Sequence, residues 1–315
     1  MPWKILVSAP YIQPVIEDYR SVLQAADPYV ELLVPPVQER LSEEELLELI
    51  GDIDGVICGD DSFTERVMQA APKLKVISKW GTGIDSIDQE AARRHGIDVC
   101  NTADAFTDAV ADSVLGYMLC FARQIPWMDR DVRAGRWGKR QGFSLKESTL
   151  GIIGVGNVGS AVTHRAAAFG MTLLGHDLSS LPEYLVAETG IRPVGKADLL
   201  AQSDFVSLNC DLNSGSHHII GEAELNAMKT TAFLINTARG PLVDEEALGH
   251  ALVDGVIAGA GLDVFEDEPL PEDSKLRTQD NCLLAPHNAN SSPEAYLRVH
   301  ENTLKNLINS LQRKS

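Results

Sequence analysis

The types and spacing of a few residues in this 315-residue chain are suited to moving a hydride and a proton. LGIIGVGNVGSAV supplies Gly154, Gly156 and Gly159 as GxGxxG, after a strand-like run and before a helical segment that ends near Gly170. Gly154 permits a tight turn, Gly156 lets backbone approach a pyrophosphate, and Gly159 lets helix and strand pack closely, with the helix N-terminus facing the anion. Asp177 follows eighteen residues after Gly159, where a carboxylate can hydrogen-bond the adenine ribose and repel a 2′-phosphate. No arginine stands among Leu178, Ser179 and Ser180, so the expected cofactor is NAD rather than NADP. Arg239 ends the strand-like AFLINTA and can present a two-pronged cation to a carboxylate. His287 ends NCLLAPH, and an imidazole, titrating near pH ~6.5, can take a hydroxyl proton and return it. A third group must orient that ring, and spacing alone does not choose among Glu266, Asp267 and Glu268; a solvated acidic loop is the plain alternative.

The elements that must position these groups alternate strand with helix. KILVSA (4–9), VELLVP (30–35), GVICG (55–59), KVISKW (75–80) and DVCN (98–101) form a first series of strands. Between them Ser42 and Glu45 form a capping box for a helix ending at Gly51, and QEAARRHG stops at Gly96. A second series runs through 149–156, 171–177, 204–210, 232–238, 256–264 and 281–287, six strands of a dinucleotide-type sheet. A long helix links the series, with Val110, Val114, Met118 and Phe121 near one face and Pro126 as its expected end. Alternation of this kind predicts largely parallel sheets with helices on both faces, an α/β chain of two doubly wound domains.

Length agrees with two domains. The net charge of −18 disfavours nucleic acid and anionic membrane surfaces as partners. The five cysteines are scattered without a CxxC pair, which predicts reduced thiols in a cytoplasm and no metal site. No secretory leader and no apolar run of spanning length is recognisable.

WGTGIDSID (80–88), the glycine fingerprint, LINTARGPLVDEEAL (234–248), AGLDVFEDEPL (260–270) and LLAPHNAN (283–290), in that order, resemble the D-isomer-specific 2-hydroxyacid dehydrogenases over essentially the whole chain. The resemblance implies that a Rossmann-type NAD domain, 102–287, is inserted into a flavodoxin-like substrate domain, 1–101 and 288–315. It implies Arg239, Glu268 and His287 as the catalytic set. It also implies cofactor contacts from Thr82, Gly154, Gly156, Asn157, Val158, Gly159, Asp177, Cys210, Thr237, Ala238 and Asp263, the last toward the nicotinamide carboxamide. Gly81 and Gly83 would offer backbone N–H groups to the substrate carboxylate beside Arg239.

Asp211 and Ala103 stand where the family usually has proline, and Asp112 where it has glutamate. Formate dehydrogenases of this type carry glutamine in place of Glu268, and phosphite dehydrogenases carry lysine in place of Thr82. SKWGTGID, ARQIP and AGRWGKR resemble the phosphoglycerate dehydrogenase branch most, with Lys79 as first candidate for a substrate phosphate and Lys139 and Arg140 as further ones. Glyoxylate or hydroxypyruvate reduction is the alternative, as is an NAD-sensing corepressor-like binding role on the same fold. WMDRDVRAGRW resembles a dimerisation arm, and Trp127 and Trp137 are expected to be exposed and to need cover in a homodimer.

Overall fold

The computed structural model describes residues 2–314. Contacts divide the chain into two compact units, one running to Phe106 and resumed from Ser292, the other Thr107–Ser291.

In the first unit β1 (Lys4–Val7), β2 (Glu31–Leu33), β3 (Gly55–Cys58), β4 (Val76–Lys79) and β5 (Asp98–Cys100) form one parallel sheet in the order β2-β1-β3-β4-β5. This is the flavodoxin-like order, with a switch point between β1 and β3. All four residues of β3 and of β4 are buried, as covered parallel strands require. The capping box closes as expected. Ser42 N donates to Glu45 Oε2 at 2.8 Å and Glu45 N to Ser42 Oγ at 3.4 Å, opening the helix Glu43–Leu49.

The last helix, Pro293–Lys314, returns to this sheet. Ser78 Oγ donates to Thr303 O at 2.8 Å, and a Cβ on Gly55 would lie only 2.9 Å from Leu307 Cδ1. Trp80 Nε1 donates to Nδ1 of the buried His300 at 2.9 Å, amid Tyr11 and Tyr296. Asp61 is fully buried and accepts from Ser8 Oγ (2.6 Å), Leu41 N (2.5 Å) and Gly59 N (3.1 Å).

The second unit holds β6 (Thr149–Ile153), β7 (Thr172–His176), β8 (Arg192–Pro193), β9 (Phe205–Leu208), β10 (Phe233–Asn236), β11 (Gly259–Leu262) and β12 (Cys282–Leu284). Every pairing is parallel and the order is β12-β11-β10-β9-β6-β7-β8. The six expected strands are present, and a seventh, β8, was not anticipated. Two residues, one of them Pro193, are too short to carry a pattern, and proline is confined to an edge such as this one.

Helix Thr107–Arg123 packs Val114, Met118 and Phe121 into the core of this unit. Phe121, Phe233 and Phe205 stack in sequence, with centroids 4.6 and 5.3 Å apart. Burying each ring contributes about 2–3 kcal/mol. The helix does not end on Pro126. Gln124 takes a left-handed conformation (φ 57°) that breaks it, and Pro126 lies in the first turn of a new helix, Ile125–Arg133, where a missing N–H costs nothing. Trp127 corrects a second expectation: it is buried, packs on Phe121 and donates its Nε1–H to Asp280 O at 2.8 Å. Trp137 is exposed as expected, at 89%. Among the described residues no helix is long and apolar enough to cross a membrane.

Candidate functional site

In a parallel sheet every strand delivers its next residue to the same edge. Beyond the C-terminal ends of the second sheet stand Gly154 after β6, Asp177 after β7, Cys210 after β9, Thr237 to Arg239 after β10, Asp263 after β11 and His287 after β12. The register keeps β10, β11 and β12 level, with Asn236 beside Leu262 and Leu262 beside Leu284.

Each glycine of the fingerprint is required for a different reason. Gly154 has φ 85°, and a Cβ there would lie 2.5 Å from Cys210 N. A Cβ on Gly159 would lie 2.1 Å from Gly154 O, so the helix Asn157–Ala168 could not approach β6. Gly156 precedes that helix and faces open space, with nothing within 4 Å of its Cβ direction. Room for an anion before a twelve-residue helix N-terminus is what a dinucleotide pyrophosphate needs. Asp177 is held over this turn, accepting from Val155 N at 2.7 Å and from Ser179 N at 3.0 Å. One lone pair on each oxygen remains for a ribose hydroxyl. Thr237 Oγ1 is a buried hydroxyl without a partner at the end of β10, and burial pushes the Cys210 thiol up to about 11, leaving it a neutral wall. The residues present therefore fit NAD.

His287 Nδ1 lies 2.8 Å from Glu268 Oε2, and Glu268 Oε1 accepts from Phe265 N at 2.9 Å. An ionised carboxylate only accepts, so Nδ1 carries the hydrogen and Nε2 is the nitrogen that can take a proton. The spacing of the acidic loop did not select this carboxylate; the fold does.

The backbone of His287 is left-handed (φ 48°), a conformation that a residue bearing a Cβ adopts only when its surroundings impose it. Asp263 imposes it: its carbonyl accepts His287 N at 2.7 Å, Oδ1 accepts Asn288 N at 2.9 Å and Oδ2 accepts Ala289 N at 2.8 Å. Three successive amides end on the one residue that follows the neighbouring strand. Burial raises the Asp263 carboxyl above its usual range, against the two amides and the His287 charge that lower it. This bracing of the histidine was not legible beforehand, because it depends on the level register of β11 and β12.

Arg239 is half-buried in the turn after β10. Its Nη1 donates to Ala238 O at 2.8 Å, and Asn236 fixes the turn by donating to Arg239 O at 2.8 Å and accepting Ala238 N at 3.1 Å. Asp112, a departure from the family pattern, binds Arg165 Nε at 2.6 Å and ties the helix Thr107–Arg123 to Asn157–Ala168.

Within the first unit the Gly81–Gly83 loop is held by its own backbone and side-chain hydrogen bonds. Gly81 has φ 131°, closed to L side chains, and its carbonyl accepts Thr102 N at 2.9 Å and Thr102 Oγ1 at 3.1 Å. Thr82 Oγ1 donates to Thr102 O at 3.0 Å, and Asn101 Nδ2 donates to Thr82 O at 2.6 Å, fixing the loop that leads into Gly83. Lys79 is 2% exposed and its ammonium lies 2.6 Å from Asp60 Oδ1. Arg140 is held by Asp131 at 2.9–3.0 Å.

The family D-isomer specific 2-hydroxyacid dehydrogenase, NAD binding domain, matches residues 115–289. The chain is 41% identical over 274 residues to a glyoxylate reductase of Korarchaeum cryptofilum, covering 85% of this chain and 82% of that protein. It is 40% identical over 296 residues to a D-3-phosphoglycerate dehydrogenase of Methanocaldococcus jannaschii, covering 93% of this chain but 54% of that one. Among solved structures, a glyoxylate reductase from Paecilomyes thermophila superposes with a TM-score of 0.86 at 33% identity, covering 100% of this chain and 97% of the other.

Proposed function

The chain belongs to the D-isomer-specific 2-hydroxyacid dehydrogenases as an NAD-dependent member, and from that premise we propose that it reduces short, unphosphorylated 2-oxo acids of the glyoxylate and hydroxypyruvate type. The observation that carries the catalytic part is the 2.8 Å contact of His287 Nδ1 with Glu268, at the sheet edge that also holds the glycine fingerprint. Bound NADH supplies the hydride that arrives at C2 of the oxo acid. The Arg239 guanidinium binds the substrate carboxylate and polarises the 2-oxo group. His287 delivers the proton from Nε2 to the oxygen at C2, and Glu268 stabilises the imidazolium before that transfer and keeps the tautomer fixed after it. In the oxidative direction the same nitrogen takes the hydroxyl proton.

Asp177 selects the cofactor's ribose, and Asn157, Val158, Thr237, Ala238 and Cys210 line the cofactor. Gly81, Thr82 and Gly83 present backbone to the ligands. The unit closed by the C-terminal helix is thus the substrate domain and the inserted unit is the NAD domain.

Preference for unphosphorylated substrates rests on the cations. A substrate phosphate needs a charge not already answered, whereas the buried Lys79 lies on Asp60 and Arg140 on Asp131. Relatives with the glyoxylate reductase description support the same choice. The test is NADH oxidation with glyoxylate, hydroxypyruvate, pyruvate and phosphohydroxypyruvate. We expect kcat/KM for glyoxylate or hydroxypyruvate to exceed that for phosphohydroxypyruvate by at least about tenfold, the loss of roughly one charged contact. The reverse order overturns the substrate assignment, and no turnover on any of the four favours a binding role.

A homodimer in a reducing, cytoplasmic compartment completes the proposal. Ile125, Val132 and Trp137 are exposed along the arm that follows the linking helix, and the five cysteines are free. A monomeric mass at micromolar concentration contradicts the dimer.

A further inference from the structure

We propose that His218 is a positioning residue for the reaction, tethering the acidic loop that carries Glu268 to the turn that carries Arg239. The inference rests on the Glu268–His287 reading above.

His218 follows β9 at the end of a turn, and it joins two segments with different parts of one residue. Its Nε2 lies 2.6 Å from Glu266 Oε1, so Nε2–H donates to the carboxylate two residues before Glu268. Its backbone N–H donates to Pro241 O at 2.8 Å, two residues past Arg239. The attachment continues as a short bridge, Ile220 N to Leu242 O at 3.1 Å and Asp244 N to Ile220 O at 3.0 Å. From the other side Glu266 N donates to Glu245 Oε1 at 2.5 Å, so the loop is gripped at both ends of one residue.

The two segments that His218 joins already touch. A Cβ on Gly240 would fall 1.8 Å from the Phe265 carbonyl, which leaves no room for either segment to shift toward the other. Charge on the loop acts in the other direction. Glu266, Asp267 and Glu268 are consecutive carboxylates and all three act on Glu245, so the loop is self-repelling. The groups that face Glu266 are Glu245 at the start of the helix Glu245–Asp254, Asp267 and Glu268 on its own loop, and His218 with His217 stacked on it at 4.0 Å. His218 supplies the donor in that set.

The cost of this arrangement is visible in the backbone. His218 has φ 50°, and with Asp104, Gln124 and His287 it is one of the non-glycine residues in the left-handed region among the described residues. Displacing Glu268 by a fraction of an ångström rotates the His287 ring, and catalysis responds steeply to such displacement. The pair is half-exposed, so its effect on folding is small and its effect on the geometry of Glu268 is what turnover reads.

The experiment compares His218→Ala, His218→Gln, Glu266→Ala and the Ala/Ala double variant in steady-state 2-oxo acid reduction. We expect His218→Ala and Glu266→Ala each to lower kcat about fivefold with KM for NADH within about twofold, and the double variant to match the singles. His218→Gln, which keeps an N–H donor at similar reach, should recover most of kcat, a recovery that a packing role would not give. If His218→Ala unfolds, the Glu266→Ala variant on the exposed loop carries the comparison. A kcat within twofold of the parent in both single variants, or losses that multiply in the double, overturns the tether. Turnover persisting in His287→Ala would instead sink the acid–base reading, so the two failures are told apart.

Discussion

Beyond the strands of the first sheet the buried ionisable groups are each satisfied by their immediate neighbours, whereas beyond those of the second they are chained across strand ends to aim one imidazole. Asp61 is closed off by Ser8, Leu41 and Gly59, and Lys79 by Asp60, so what the Gly81–Gly83 loop offers is backbone. In the second unit Asp263 spends both carboxylate oxygens, and Glu268 one of its two, on the segment that carries His287. Both sheets are parallel and doubly wound, yet the architecture supplies only a place for chemistry. Which residues stand there decides whether the edge binds or reacts.

The contrast is open to attack where the effects are largest. His287→Ala should lower kcat by about 10³-fold while NADH affinity, read by fluorescence titration, changes less than about threefold. Near-normal turnover would refute the assignment of the proton carrier. Asp263→Ala leaves the amides of Asn288 and Ala289 without acceptors. We expect a loss of about 1–3 kcal/mol in urea denaturation and a kcat lower by roughly 10–100-fold. A stability loss with unchanged kcat would make Asp263 a purely structural brace.

Lys79→Met probes the other side of the comparison. It removes the buried end of the ion pair with Asp60 and should destabilise the chain by about 1–3 kcal/mol, while KM for glyoxylate stays within about twofold. A selective rise in KM for a phosphorylated substrate would instead return Lys79 to the site.

The smallest effect is expected at His300, where burial lowers the imidazole pKa below the ordinary 6.5. The folded state therefore holds this ring neutral, with Nδ1 accepting from Trp80. Its contribution to stability is fully present above 6.5 and is lost as pH falls from there through the depressed value, because the unfolded chain takes up the proton first. Thermal melts of the parent should drop by a few degrees over that acid interval, and a His300→Gln variant should show a shallower drop. Equal slopes would exclude the ring as the source.

Much of this was legible in advance, for identifiable reasons. Parallel strands buried on both faces write continuous apolar runs, so eleven of the strands could be placed from the chain. Gly154, Gly156 and Gly159 were legible because backbone approach admits no side chain. The edge strand β8 and the break at Gln124 were not, since neither two residues nor a left-handed glutamine leaves a periodic trace. Trp127 was misplaced because its cover comes from Asp280 and Phe121, a tertiary matter. Among Glu266, Asp267 and Glu268, local sequence is blind to direction: one side chain turns to His218 and another to His287 only because β9 and β12 end where they do.

The triple anchorage on Asp263 changes which strand owns the histidine. His287 is covalently an extension of β12, but the amides of 287–289 are fixed by an acceptor that directly follows β11. Transplanting the base into another parallel sheet would fail with the histidine segment alone. The smallest portable piece is two strand ends, the donor segment 287–289 together with the aspartate that receives it.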